Sequence, residues 1–333
     1  MKKNIISCAK VITMCLLTLF AGSCGSDDDD NSIDLENITI SNFPKIDGSD
    51  STTPLRNILM CRLLGFEYEW QQSPFVQFSD EAPWFVRPNY TCTEDERHAI
   101  MGKMQANNTH QSFVNLIDNK VELILTARGI SRDEKDYANE KGVTLIEKKI
   151  AKDALTFIVN PSNPVNSLTV EQIQAIYTGD ITRWDEVGGK AETMTPYVRN
   201  RNSGSQEKFE TMVMAGLKIK EFLEMQIGHT MMTPYYQIQE DKTGIAFTPF
   251  YYYSVIVANE TVKGLAVNGV AMTKENIINA TYPYISDVYA AVRSDIDRTS
   301  PAYRIFEFLT AKGGQKIVAE SGYIPLAAYK GEK

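Results

Sequence analysis

The clearest structural pattern in the chain lies at residues 157–189, which read F-I-V-N-P-S-N-P-V-N-S-L-T-V-E-Q-I-Q-A-I-Y-T-G-D-I-T-R-W-D-E-V-G-G. Its apolar start belongs to a run at residues 155–159 that predicts a buried strand. Thr169 is followed three residues later by Gln172, a capping-box spacing that predicts the start of a helix. Gly179 predicts the end of that helix. The segment therefore predicts a strand, a loop and a capped helix in succession.

Strand and helix patterns alternate along the rest of the chain as well. Residues 121–126 have the composition of a buried strand, while residues 207–217 and 302–309 have the apolar spacing of helices. Such alternation favours an α/β fold with mostly parallel sheets flanked by helices. The length of 333 residues is sufficient for two domains of ordinary size.

The N-terminal residues have the features of a secretory signal. Lys2 and Lys3 precede an apolar run at residues 11–20, which is too short to span a bilayer of about 30 Å. The order A-G-S-C that ends at Cys24 resembles a bacterial lipobox. We expect residues 1–23 to be removed and Cys24 to carry lipid, and a conventional signal peptide with a chance cysteine is the alternative.

An acidic segment follows Cys24. Asp27 to Asp30 lie within residues 24–35, which predict a solvated tether. The acidic quartet also resembles the export tag of some lipoproteins that are displayed on the cell surface. We therefore expect a protein of the cell envelope that is lipid-anchored to a membrane, on its periplasmic face or at the outer-membrane surface.

The net charge argues against several classes of partner. Removal of residues 1–23 takes away three lysines and changes the net charge from −8 to −11. Nucleic acid and anionic membrane surfaces attract basic proteins, so neither is expected as a partner. An acidic protein that binds an anion must do so with helix dipoles and one or two local cations.

Residue types that carry catalysis or bind metals are scarce. Only Cys61 and Cys92 remain beyond the predicted lipid site, and both a disulfide and two free thiols are compatible with the sequence. The three histidines have no metal-ligand or triad spacing. We expect no metal, no cofactor and no enzymatic activity.

Three short polar segments, at residues 51–54, 107–109 and 203–206, each predict a helix N-terminus rich in hydroxyl groups. The first turn of a helix leaves backbone N–H groups unpaired and carries a partial positive charge, which suits an oxyanion. A single such segment is better explained by ordinary capping. For the third segment, Arg199 lies four residues before Ser203 and adds a cation that can bind two oxygens. The predicted ligand-binding residues are Ser51, Thr52, Thr53, Thr109, Arg199, Ser203, Gly204 and Ser205.

The chain resembles the PstS-type phosphate-binding proteins, which are solute-binding components of ABC importers in the periplasmic binding protein superfamily. The resemblance rests on residues 157–189, on D-G-S-D-S-T-T-P-L at 47–55, on T-H-Q-S-F-V-N-L-I at 109–117 and on R-N-R-N-S-G-S-Q at 199–206. Shorter matches are G-I-A-F at 244–247, Y-P-Y at 282–284 and G-Y-I-P-L at 322–326. Most of the chain from about residue 38 to 326 is covered.

The resemblance implies a two-lobed type II binding-protein fold with the ligand in the cleft between the lobes. Residues 36–156 and 284–333 would form lobe 1, and residues 157–283 would form lobe 2. It implies a monomer that captures inorganic phosphate for an ABC permease. It also assigns phosphate contacts to Thr52, Thr53, Thr109, Arg199 and the Ser203-Gly204-Ser205 segment.

One position departs from the family. PstS-type proteins have an aspartate after the strand that corresponds to residues 121–126, where it accepts the proton of monohydrogen phosphate and repels sulfate. This chain has Ala127 and Arg128 there, so a second arginine could favour a fully ionised anion, while Asp50 is a candidate replacement acceptor. Two alternatives follow, namely a binder of another tetrahedral oxyanion such as sulfate, or a surface interaction or signalling protein without a transport role.

Overall fold

The computed structural model describes residues 35, 37–73, 82–328 and 330. The predicted signal peptide, the lipid site Cys24 and all but the last residue of the acidic tether lie outside these residues. Among the helices that the structure describes, none combines the length and the apolar composition needed to cross a membrane. Cys61 is buried and Cys92 is partly exposed, and both are free thiols.

Helices and strands alternate along the described chain, which confirms the predicted α/β class. The helices are α1 (Thr53–Leu64), α2 (Glu94–Met101), α3 (Thr109–Ile117), α4 (Arg132–Glu140), α5 (Val170–Thr178), α6 (Gly204–Lys208), α7 (Thr233–Glu240), α8 (Lys274–Ile278), α9 (Pro301–Phe308) and α10 (Lys312–Glu320). The strands are β1 (Ile46–Gly48), β2 (Glu67–Gln72), β3 (Trp84–Asn89), β4 (Leu123–Thr126), β5 (Leu145–Val159), β6 (Ser167–Leu168), β7 (Thr195–Pro196), β8 (Val198–Arg199), β9 (Ile227–Gly228), β10 (Gly244–Pro249), β11 (Lys263–Val267), β12 (Ile285–Arg293) and β13 (Ile324–Pro325).

Two long strands organise the main sheet. β5 and β12 pair antiparallel along most of their lengths, from Ile285 opposite Ala154 to Arg293 opposite Leu145. β4 and β1 extend the sheet from β12, and β10 and β7 extend it from β5. In the described sheet, every antiparallel pair includes β5 or β12, whereas β1–β4, β7–β10 and β6–β11 are parallel. Parallel pairing is what helical crossover connections produce.

The buried apolar residues form several clusters along these strands. One cluster joins α1, β4 and α9 to the first part of β5, and includes Leu55, Leu125 and Phe306. A second cluster joins α5, β10 and the last part of β5, and includes Phe157 and Phe247. The strand β5 therefore leaves one core and enters the next within a single extended segment.

Local sequence signals explain several of the observed boundaries. The Thr169 and Gln172 capping box is formed at the start of α5, and Gly179 ends that helix with a left-handed φ of 94°. Ser300 caps α9, which has Pro301 in its first turn. The predicted helix at 207–217 differs, because α6 ends at Lys208 and continues as a π-helical turn, Phe209–Met214, that Ala215 terminates.

Candidate functional site

A polar cleft lies between the loop after β1, the start of α3 and the start of α6. Its volume is about 310 Å³. All lining residues except Met231 are small or polar. The lining comprises Ser49, Asp50, Ser51, Ala106, Asn107, Asn108, Thr109, Ala127, Arg199, Asn200, Ser203, Gly204, Ser205, His229 and Met231. Six of the eight sequence-predicted ligand residues are among them.

The first wall of the cleft comes from a short 3-10 turn, Asp50–Thr52, and the start of α3. Ser49 and Thr109 share a hydrogen bond of 2.7 Å between their hydroxyl groups. The hydroxyl of Ser49 also accepts from the backbone N–H of Ala127 at 3.0 Å. These bonds hold the two hydroxyl-bearing segments and the end of β4 together at one end of the cleft.

The second wall is the N-terminus of α6. Ser203 is its N-cap, and its hydroxyl accepts from the backbone N–H of Ser205 at 3.2 Å. Gly204 brings the helix backbone against the first wall, since a Cβ atom on Gly204 would lie only 2.4 Å from Oγ1 of Thr109. Small residues at this helix start thus allow a close approach between the two walls.

Arg199 supplies the cation. Its side chain is nearly buried, with 6% of the residue exposed. Nε donates to the carbonyl of Gly228 at 3.0 Å, and Nη1 contacts Sδ of Met231 at 3.2 Å. Within the described part of the chain, no carboxylate forms an ion pair with this guanidinium.

The electrostatic environment of Arg199 favours an anion. Burial lowers the pKa of its guanidinium to about 10, partly offset by Tyr252, Asp50 and Tyr235. The group therefore keeps its charge at neutral pH. A buried charge without an ion-pair partner is unfavourable, so an anion in the cleft would be stabilised by this guanidinium.

The structure places Thr52 and Thr53 away from the cleft, unlike the other predicted residues. Oγ1 of Thr52 donates toward the carbonyls of Ser49 and Leu125 at 2.9 and 2.8 Å, and its backbone N–H also bonds Ser49. Oγ1 of Thr53 accepts from Arg56 at 2.9 Å. Both hydroxyl groups stabilise the loop after β1, and of residues 50–53 only Asp50 and Ser51 line the cavity.

Arg128 does not supply a second cation. Its two terminal nitrogens each bond a carboxylate oxygen of Glu134 at 2.8 Å, and Glu134 is fully buried. Ala127 lines the cleft in its stead. The sequence-based suggestion that Arg128 would favour a fully ionised anion is therefore wrong, because the guanidinium is already paired.

Asp50 is the carboxylate that reaches the cleft. The residue is exposed at the edge, yet the pKa of its carboxyl is raised because of desolvation, an effect that Arg56 and Arg199 oppose and Asp47 reinforces. Arg56 lies buried beneath the same loop and bonds Thr53 and the carbonyl of Gln105. Sequence reasoning missed Arg56, since an arginine inside an apolar helix resembles an ordinary surface position.

Other cleft residues were missed for similar reasons. Ser49, Asn200, His229 and Met231 lie outside the three predicted segments, whereas Asn107 lies within the second segment but was not named as a ligand residue. Ser49 lies two residues before Ser51, and this proximity was the available signal. His229 and Met231 come from the loop after β9, which the parallel pairing of β8 with β9 brings to Arg199.

Comparison with known proteins agrees with this architecture. The family model described as PBP superfamily domain matches residues 95–303, more than half of the chain. The chain belongs to the PBP superfamily. The expected resemblance to PstS-type proteins is also confirmed by individual relatives.

Two curated relatives illustrate that resemblance. The protein SphX of Synechococcus elongatus is 27% identical over 232 residues, which cover 66% of this chain and 67% of SphX. The phosphate-binding protein PstS of Bacillus subtilis is 26% identical over 200 residues, which cover 60% of this chain and 63% of that protein. The matched part of the second relative is thus slightly under two thirds of its length.

Two solved structures share the fold. A putative phosphate ABC transporter substrate-binding protein from Clostridium perfringens, crystallised with bound phosphate, has a TM-score of 0.62 at 24% identity, covering 84% of this chain and 98% of that protein. An ABC-type phosphate transport receptor from Vibrio cholerae has a TM-score of 0.58 at 20% identity, covering 86% and 99%. These likenesses support the two-lobed binding-protein fold expected from the sequence.

Proposed function

We propose that this chain is a solute-binding protein that captures inorganic phosphate in the cleft at Arg199 and presents it to an ABC-type permease. The observation that carries the proposal is the buried Arg199 guanidinium, which no carboxylate of the described chain pairs. It lies beside a helix start and hydroxyl groups that suit an oxyanion. The phosphate-binding relatives and the Clostridium perfringens structure support the same ligand.

The lobe assignment and the membrane anchor belong to the same proposal. Lobe 1 comprises residues 36–156 and 284–333, and lobe 2 comprises residues 157–283. The passage of β5 from one apolar cluster to the next near Ala154 supports that division. The protein acts outside the cytoplasm as a monomer, held to a membrane by lipid on Cys24.

The available interactions are sufficient for useful affinity. A micromolar dissociation constant requires about 8 kcal/mol. Hydrogen bonds to a charged group contribute about 1.5–3 kcal/mol each. The donors are Arg199, the Ser51 and Thr109 hydroxyl groups and the first-turn amides of α6 other than that of Ser205, which donates to Ser203. Together they exceed that value before the entropic losses of binding are subtracted.

Asp50 favours a ligand that carries a proton. A carboxylate beside an anion is repelled unless a proton lies between the two, so hydrogen phosphate is accepted more readily than sulfate. Asp50 can play this part because it lines the cleft together with Arg199. The alanine at position 127 removes the acceptor that the resemblance implied, and this favours a second candidate ligand, a sulfate-like oxyanion.

Calorimetry on the mature, unlipidated protein tests the proposal. We expect phosphate to bind, and Arg199→Ala to weaken binding at least about tenfold because it removes one charge-assisted hydrogen bond or more. Arg201→Ala is the matched control, since Arg201 lines a neighbouring groove rather than the cleft.

The competing ligands are measured in the same series. If sulfate binds more tightly than phosphate, the proposed ligand becomes the second candidate, a sulfate-like oxyanion. An absence of binding heat with phosphate, sulfate, arsenate and molybdate would refute the oxyanion site.

A further inference from the structure

A buried lysine lies in the helix that forms the second wall of the cleft. Lys208 is the last residue of α6, three positions after Ser205, and its side chain is 3% exposed. Its nearest carboxylate oxygen is Oδ2 of Asp153 at 3.8 Å. Neither Nζ of Lys208 nor this oxygen has a hydrogen-bond partner among the described residues. The two charges therefore interact through electrostatic attraction without a hydrogen bond.

Asp153 belongs to the strand that connects the two apolar clusters. It lies on β5 opposite Ser286 of β12, the other long strand. Its second oxygen, Oδ1, accepts from the backbone N–H of Tyr251 at 2.9 Å. The carboxylate thus contacts the strand pair, α6 and the segment after β10 at the same point.

Contacts continue from Tyr251 to the opposite wall of the cleft. The ring of Tyr251 stacks on that of Tyr323, with centroids 3.8 Å apart and an interplanar angle of 10°. The hydroxyl of Tyr323 donates to the carbonyl of Ser51 at 3.0 Å. A contiguous series of buried contacts therefore joins α6 on one wall to the Ser51 loop on the other.

Burying this charge pair is costly, which argues against a purely space-filling role. Desolvation lowers the pKa of Lys208 and raises that of Asp153, and each group partly offsets the effect on the other. Asp287 also favours the charged form of Lys208, while Arg128 opposes it. Apolar residues of similar volume often stabilise a core as well as a buried ion pair does.

We propose that Lys208 and Asp153 are positioning residues for the anion site, whose charge pair holds α6 against β5 and couples the two walls of the cleft. This inference rests on the proposed binding function. The attraction orients the α6 N-terminus, while the Tyr251 and Tyr323 contacts fix the position of the Ser51 loop relative to α6. Neither charged side chain needs to touch the ligand.

A double-mutant cycle with phosphate as the probe tests the coupling. The variants are Lys208→Met, Asp153→Asn and the double variant, and the readouts are the phosphate dissociation constant and the thermal midpoint. Lys148→Met is the matched control, because Lys148 lies on the same strand and pairs with Glu307 away from the cleft. Amide hydrogen exchange at residues 204–206 of the unliganded variants provides a readout that needs no ligand.

We expect each single variant to weaken phosphate binding about tenfold, and the double variant to lose no more than either single one, since contacting charges are not additive. Exchange at residues 204–206 should accelerate in Lys208→Met and stay near the wild-type rate in Lys148→Met. Lower thermal midpoints with unchanged affinity and exchange would show a merely structural pair. Losses that multiply in the double variant would also overturn the proposal.

The control for the binding function is the wild-type protein. If the wild type fails to bind phosphate while exchange still responds to Lys208→Met, the proposed ligand is wrong but the positioning of α6 stands. If phosphate binds and exchange is unaffected, the positioning role is wrong and the binding function stands.

Discussion

Gly204 is the position where a single methyl group should most clearly affect binding. A Cβ atom there would lie 2.4 Å from Oγ1 and 3.3 Å from Cβ of Thr109, across the cleft. Thr109 has little freedom to move aside, because its hydroxyl bonds Ser49 at 2.7 Å and its χ1 rotamers are restricted. Gly204→Ala therefore forces the two walls apart.

The size of the effect follows from the cost of overpacking. Added methyl groups in close-packed sites cost about 1–3 kcal/mol. Since 1.4 kcal/mol is a tenfold change, phosphate should bind about 5- to 150-fold more weakly to Gly204→Ala. The unliganded protein should lose little stability, because separating the walls relieves the contact.

Isothermal titration with phosphate and a thermal melt without ligand measure the two quantities. Gly102→Ala is the control, because Gly102 has a φ of −65° and a Cβ there would meet nothing closer than 3.4 Å. Unchanged phosphate affinity in Gly204→Ala would refute the close approach of α6 and Thr109 in the bound state. A large fall in thermal midpoint with unchanged affinity would assign Gly204 to folding instead.

Two further substitutions test the charges around the cleft. Asp50→Asn should raise sulfate affinity relative to phosphate, measured by parallel titrations. Desolvation raises the pKa of the Asp50 carboxyl above 3.8, so the folded state binds this proton more tightly than the unfolded state does. The contribution of Asp50 to stability therefore falls as pH rises from 3.8 through the folded-state pKa. In melts across this pH range, Asp50→Asn should show a weaker pH dependence than the wild type. A variant as selective as the wild type would exclude Asp50 from discrimination. Glu134→Gln should destabilise the fold by about 3–5 kcal/mol, because it leaves the nearly buried Arg128 without an ion-pair partner. The denaturation midpoint measures this effect, and an unchanged midpoint would contradict the pairing.

Local signals in the sequence predicted several helix boundaries, including two helix starts that line the cleft. The capping box at Thr169, the glycine at 179 and the Ser300-Pro301 helix start all operate within one helical turn, so their outcome depends little on distant residues. The same locality allowed the starts of α3 and α6 to be identified as candidate anion-binding segments.

Side-chain direction was not predictable in the same way. Ser51, Thr52 and Thr53 are consecutive hydroxyl residues, and only Ser51 lines the cleft. The Thr52 hydroxyl donates to the carbonyls of Ser49 and Leu125, and Leu125 is 73 positions away from Thr52 in the chain. Whether a hydroxyl group of this loop faces the cleft or bonds a carbonyl therefore depends on which strand lies beside the loop.

The sequence by itself determined the α/β class, the capped helices, the family resemblance and the grouping of Arg199 with Ser203 to Ser205, because each is encoded in short spacing or a contiguous motif. Only the tertiary structure decided which charged side chains pair with each other and which reach the cleft. Arg128 is neutralised by Glu134, Asp50 reaches the cleft edge, and Lys208 meets Asp153 from a distant strand. Pairing between charges is set by three-dimensional proximity, which sequence separation does not reveal.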